Sequence, residues 1–405
     1  MHGTHFKHLL TLVAISTTVL PAQSVPTRRA VEVLRLGGED APAPFDFAEP
    51  ARLVVDPAGT VYARLPSDGA ILVLGPDGRF VRKIGRNGAG PGEFQSAAQH
   101  GLIGDTLWVV NWPTPRISLF SVDGNHISTW NTPFDLGQRF ASPTGISGLF
   151  PGGRAWVLPG GSPVGVLGRL MLPVLIGNRS MTDPDTVTMV PTPRGMSIDG
   201  VGTWAFDPMP SPPLVAVSAI GAGIAVASWT SAAPGRVNIR VVSPSGVELL
   251  RRQLTLEAQP VPKKVRDSLL ALGVSKARQP IEAARRRASA PRESPTGRTG
   301  GLRLGGEPPP SLTVERLVEN GLDLPSHYPP IKGILLGTDG TIWLEMFGRG
   351  QHGMWLALSA RGDQRFQVQV QPGVEVQQAS ASTIWATTRD SLDVPYLLRL
   401  NVPAR

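Results

Sequence analysis

The chain has no cysteine. Disulfides, thiolate metal sites and a cysteine nucleophile are therefore excluded together. Cysteine-free chains occur in oxidising and reducing compartments alike, so this absence leaves location open. Charge is also scarce. Asp, Glu, Lys and Arg make up 17% of the 405 residues. Several catalytic patterns are missing. There is no HxH, HExxH or His-carboxylate motif of the kind that holds zinc. Beyond residue 24 the histidines are His100, His126, His327 and His352, each in a different part of the chain. No GxSxG nucleophile elbow occurs. Beyond residue 24, no run is long and apolar enough to cross a membrane as a helix.

Turn residues are plentiful. The 46 glycines and 40 prolines are about a fifth of the chain, which is turn-rich but short of the level that signals disorder. Many turns with little charge suit short β-strands. The N-terminus reads differently. Met1 to Lys7 is polar and weakly basic, Leu9 to Ala22 is apolar apart from hydroxyl residues, and Ala22-Gln23-Ser24 offers a small-x-small cleavage site. This pattern predicts a signal peptide over 1–24 and an exported mature chain, periplasmic or extracellular, over 25–405. The formal charge of +8 is uneven. Residues 263–303 hold 11 basic and 3 acidic side chains, so the rest of the chain nets to zero.

A repeat organises the mature chain. GTVYAR (59–64), DTLWVVN (105–111), GRAWVLP (153–159), GIAVASW (223–229), GTIWLEM (340–346) and STIWATT (382–388) each begin a unit. A second strand, a glycine turn and a third strand then follow in most of them. The turns PDG (76–78), VDG (122–124), PSG (244–246) and ARG (360–362) supply the positive φ of a tight hairpin. Further strands precede several copies, as in RLVVD (52–56) and KGILLG (332–337). Six four-stranded units spell an all-β, six-bladed β-propeller. The last copy lacks its fourth strand. VEVLRL at 31–36 is placed to supply it by pairing with 396–402, closing the ring and removing its open edge.

LWVVNWPTPRISLFSVDG, downstream of GRNGAGPGEF, resembles six-bladed propellers of the NHL-repeat type. Asn111 stands at that unit's Asp position. Arg116-Ile117 and Phe120 match, and Asp123-Gly124 match with one shift. The resemblance is concentrated in residues 51–134. It implies fold and little about function, since propellers carry many unrelated activities.

GRNGAGPGEF at 85–94 has the composition of a phosphate loop. It lacks the GK[ST] ending, and no helix pattern follows to direct a dipole at an anion. It reads as a crossing turn between blades, with Phe94 as a plug. The repeated aromatics Tyr62, Trp108, Trp156, Trp343 and Trp385 read as blade-to-blade packing, with a sugar-binding lining as the alternative. Arg64, Asn111, Arg116 and Glu345 fall at or just after the ends of second strands, where loops open on a face that propellers use for ligands. They are the ligand-binding candidates, against the alternative of structural ion pairs and solvated side chains.

Residues 257–330 interrupt the blades between units four and five. Val265, Leu269 and Leu272 predict a short helix stopping at Gly273, and a second begins after Pro280. Residues 289–311 read as flexible. The segment could cover one face, present a basic patch, or be a solvated insertion. No aromatics interleave its basic residues, and nucleic acid is not an expected partner.

The resulting expectation is a monomeric, non-catalytic binding or scaffold propeller, without cofactor, engaging a protein, peptide or glycan through one face. The competing expectation is a calcium-dependent hydrolase or lyase with an axial pocket. It follows from a resemblance to gluconolactonase-like and strictosidine-synthase-like propellers, carried by Glu49-Pro50 before the first blade.

Overall fold

A computed structural model describes residues 25–47, 52–65, 69–112, 116–132, 147–157, 171–191, 196–198, 202–204, 209, 214–218, 220–289, 312–322, 324–347 and 353–404. The signal-peptide, Glu49-Pro50 and 290–311 expectations lie outside these residues.

The chain opens with β1 (Thr27–Arg29) and β2 (Val31–Gly37). Blade one is β3 (Arg52–Val55), β4 (Val61–Leu65), β5 (Ala70–Leu74) and β6 (Phe80–Ile84). Blade two is β7 (Ser96–Ile103), β8 (Thr106–Trp112), β9 (Arg116–Ser121) and β10 (His126–Asn131). Blade three is β11 (Gly148–Phe150), β12 (Arg154–Val157), β13 (Met171–Gly177) and β14 (Asp185–Pro191). A separate two-stranded sheet follows, β15 (Met196–Ile198) with β16 (Gly202–Trp204). Blade four is β17 (Leu214–Val217), β18 (Ile224–Ser228), β19 (Arg236–Val242) and β20 (Glu248–Thr255). Two helices come next, α1 (Lys263–Ser289) and α2 (Val314–Gly321). Blade five is β21 (Ile331–Leu336), β22 (Ile342–Met346), β23 (Gly353–Leu358) and β24 (Gln364–Val370). Blade six takes β25 (Glu375–Ala379), β26 (Thr383–Arg389) and β27 (Pro395–Asn401) from the C-terminus.

The expected turn chemistry is present. Gly78 and Gly362 have φ of +83° and +79°. Each closes its hairpin by donating its N–H to a carbonyl three residues back, Gly75 at 2.9 Å and Ser359 at 2.8 Å. A side chain at either position would strain the turn.

The first strands of the blades face the axis. β3 touches β7, β7 touches β11, β17 touches β21, β21 touches β25, and β25 returns to β3. The apolar core lies between blades. Separate buried clusters join blades one and two, two and three, three and four, four and five, five and six, and six and one. The repeated aromatics take part in these clusters, as the packing reading expects. Trp108 and Trp156 converge on Gly148 of β11. A Cβ there would lie 2.6 Å from Trp156 Nε1 and 2.7 Å from Trp108 Cη2, so only glycine fits.

β2 fills the missing edge of blade six, running antiparallel to β27 from Val31 opposite Asn401 to Gly37 opposite Tyr396. A further pairing is absent from the sequence reading. β1 adds in parallel to β24 of blade five, and the Arg28 guanidinium sits 3.8 Å over the Phe366 ring. The N-terminal segment therefore bridges two blades.

The insertion differs from its expected form. One helix runs through both Gly273 and Pro280. Val274, Ala277 and Ile281 share a face of α1 and pack on Val314, Leu317 and Val318 of α2. That burial outweighs the missing Pro280 N–H and the poor helix propensity of Gly273. The second helix, α2, was not anticipated. Thr313 caps it by accepting the Arg316 N–H at 3.3 Å. The insertion has a paired neck, where Val261 N–H donates to Ser326 at 2.9 Å and Tyr328 N–H to Gln259 at 2.8 Å.

Candidate functional site

Antiparallel order gives the ring two unlike faces. Connections from second to third strands and from one blade to the next share one face. The remaining turns share the other. The second face carries short links such as 56–60 and 337–341. The first carries the long connections 38–51, 85–95, 132–147, 192–213 and 256–330. The sheet β15–β16 and the helices lie in these long connections, and α2 packs on β15. At the neck, the Tyr328 and Phe347 rings lie 5.1 Å apart, joining the insertion to the end of β22.

The glycine loop 85–95 sits on this face, and its dipoles settle what it can hold. Its carbonyls converge on a cation. Arg116, 8% exposed, donates to Ala89 O at 2.5 Å, Glu93 O at 2.6 Å and Gly88 O at 3.3 Å. A phosphate cradle needs the reverse polarity, with amides turned inward. One amide is already spent, since Gly90 N–H donates to Glu93 Oε2 at 2.8 Å. That bond, followed by the Arg86 guanidinium on Oε1 at 2.7 Å, holds the Glu93 carboxyl below the usual carboxylate range. Phe94 is fully buried and meets Phe120 edge-on at 6.2 Å. The crossing-turn reading matches this geometry.

Asn111 is 1% exposed, and its Oδ1 accepts the Gln95 N–H at 2.9 Å. In the ladder it pairs with Ala97 on one side and Arg116 on the other. Arg64, half-buried on β4, donates to the Ala97 carbonyl of β7. Three of the candidate residues therefore form one cluster at the junction of blades one and two. Asn111 and Arg116 hold the loop, and Arg64 ties blade to blade. Glu345 is not part of that cluster. It lies on β22 in blade five, paired with Lys332 Nζ of β21 at 2.9 Å.

Two neighbours escaped the sequence reading. Lys332 carries no motif, and only the β21–β22 register brings it to Glu345. His100 stands on β7, where Nε2 meets the Tyr62 carbonyl at 2.9 Å. Burial pushes its imidazole down to about 4. The Tyr62 hydrogen bond opposes that shift and the nearby Arg64 charge adds to it. His100 is therefore neutral at ordinary pH, with an N–H committed to the backbone.

Among the described residues, no three of His, Cys, Asp and Glu come together as metal ligands. No described helix is long and apolar enough to cross a membrane. No protein-family model matches the chain, and no curated protein matches it. Solved structures do. A Bacteroides fragilis protein named as exported is 10% identical, with a TM-score of 0.44 over 93% of this chain and 99% of that one. A DUF4221 family member from Bacteroides vulgatus is 8% identical, with a TM-score of 0.44 over 93% and 98%. Regucalcin of Agrobacterium tumefaciens, a calcium-binding protein, is 10% identical, with a TM-score of 0.32 over 95% and 97%. The six-bladed assignment rests on this chain's own sheets and clusters.

Proposed function

We propose that the chain is an exported, monomeric, non-catalytic binding or scaffold propeller of NHL-like type. It would recognise a protein, peptide or glycan through the face bearing the long connections. The observation that carries this reading is the asymmetry of the faces: one has short turns, while the other has the long connections, an added sheet and a packed helical unit. Propeller rings leave such loops free to vary without disturbing the blades. Arg64 in blade one and the Glu345–Lys332 pair in blade five supply polar contacts on separate blades, and Asn111 and Arg116 act through the loop they shape. Export is supported by the signal-like pattern of residues 1–24.

The alternative is a calcium-dependent hydrolase or lyase, which needs oxygen ligands about 2.3–2.6 Å from one cation. Immobilised mature protein presented to glycan and peptide arrays, with calcium or with EDTA, separates the two. The binder reading expects EDTA-insensitive, stoichiometric retention of an unchanged ligand. Chemical conversion of the ligand, or retention that requires calcium, replaces it with the enzyme reading.

A further inference from the structure

The short-turn face holds a cleft of about 610 Å³ where blades five, six and one meet. Its volume falls in the range of small-molecule sites. Its wall carries a row of side chains found in no other blade among the described residues. In blade six, Trp385 of β26 lies opposite Gln378 of β25 and Arg399 of β27. The equivalent aromatics have apolar or glycine neighbours. Tyr62 lies between Val54 and Val73, Trp108 between Gly101 and Leu119, Trp156 between Gly148 and Ile176, and Trp343 between Leu335 and Ala357. All three residues of the blade-six row line the cleft.

The row is incompletely satisfied. Gln378 Oε1 is buried without a hydrogen-bond partner. Trp343 gives its indole N–H to Thr341 Oγ1 at 2.9 Å, whereas Trp385, 4% exposed, makes no such bond. The Trp108 and Trp156 N–H groups are also unpaired, but they are buried and their side chains pack on Gly148. Trp385 has a cleft before it. Arg399 donates one nitrogen to the Pro76 carbonyl of blade one and keeps others. Asp56, across the cleft, spends one carboxylate oxygen on Thr60 N–H at 2.8 Å. Asp339 is fully engaged, accepting from Thr341 N at 3.1 Å and Ala381 N at 2.7 Å.

We infer that this cleft binds a saccharide unit, at a site separate from the face proposed above and independent of that proposal. The open groups are of both kinds: acceptors on Gln378 and Asp56, donors on Trp385 and Arg399. An apolar ligand would leave them unpaid in hydrogen bonds, and a charged ligand would meet charges of both signs. A polyol offers hydroxyls that donate and accept, and its C–H face matches the exposed rings of Pro57 and Pro76 on the cleft wall. Across three strands the row spans about 10 Å, enough for one or two pyranose rings.

The test titrates mature protein with glucose, galactose, mannose, N-acetylglucosamine, maltose and cellobiose, read by calorimetry and tryptophan fluorescence. At least one sugar should bind saturably. Ser382→Tyr, at an exposed position on the cleft wall, should weaken it about tenfold or more with melting temperature unchanged, and Arg399→Met should weaken it as much while lowering the melting temperature only by the loss of its exposed bond to Pro76. Three results overturn the inference: no sugar binding at about 10 mM, affinity unaffected by both variants, or a melting temperature raised by calcium and by no sugar.

Discussion

Arg116 shows how one side chain can decide the meaning of a motif. The five residues from Gly88 to Gly92 would suit a phosphate if their amides pointed inward. Two of their carbonyls, with that of Glu93, point inward instead, at one guanidinium. A lysine ammonium has no planar fork to serve them all. Arg116→Lys should therefore cost about 1–2 kcal/mol in urea unfolding, because an ammonium keeps the charge but cannot reach all three part-buried carbonyls at once. An unchanged midpoint would mean that the guanidinium does not hold the loop. His100 makes a pH prediction. Its native pKa of about 4 lies below the value of 6.5 expected unfolded, so between these the unfolded chain binds the extra proton. Stability is unaffected by this group above pH 6.5 and falls as pH drops towards 4, by about 3 kcal/mol in total. His100→Gln keeps a donor for the Tyr62 carbonyl and should flatten that part of the wild-type profile. Parallel profiles for the two proteins would show that His100 does not titrate there.

At the scale of elements, legibility followed the locality of the cause. The second strands were readable because five of the six carry an aromatic and four are followed by a glycine hairpin turn, as in GTIWLEM and ARG. β2 was readable because an unmatched strand at one end answered a blade lacking one at the other. β1 was not, since TRR has no strand pattern, and its place is set by the β24 edge and the Phe366 ring. The same limit explains α1. Gly273 reads locally as a helix stop and Pro280 as the start of a new helix, and what overrides them is the buried face of α2, some forty residues away in sequence. Among site residues, Asn111 and Arg116 stood out through the repeat. The blade-six row of Gln378, Trp385 and Arg399 did not, because cross-strand register is needed to see that only this aromatic has polar neighbours.

For the whole molecule, the decisive feature is how a linear chain becomes a ring. Five blades are each continuous in sequence, and the sixth is shared between the two ends. β2 gives β27 its outer partner, while Leu34 and Leu36 pack on the cluster that joins blade six to blade one. β1 adds to blade five, so a single N-terminal segment fastens two neighbouring sheets. A chain beginning at Val25 keeps both strands and should therefore melt as the full-length chain does. A chain beginning at Gly38 leaves the β27 and β24 edges bare, and bare edges recruit strands from other molecules. It should lose about 3 kcal/mol or more from the leucine contacts alone, and it should aggregate on concentration. A synthetic peptide of residues 25–37, added in trans, should recover much of the lost melting temperature by strand addition. If the Gly38 chain melts with the full one and stays monodisperse, the ring is held by its inter-blade clusters without the latch, and the shared blade contributes order rather than stability.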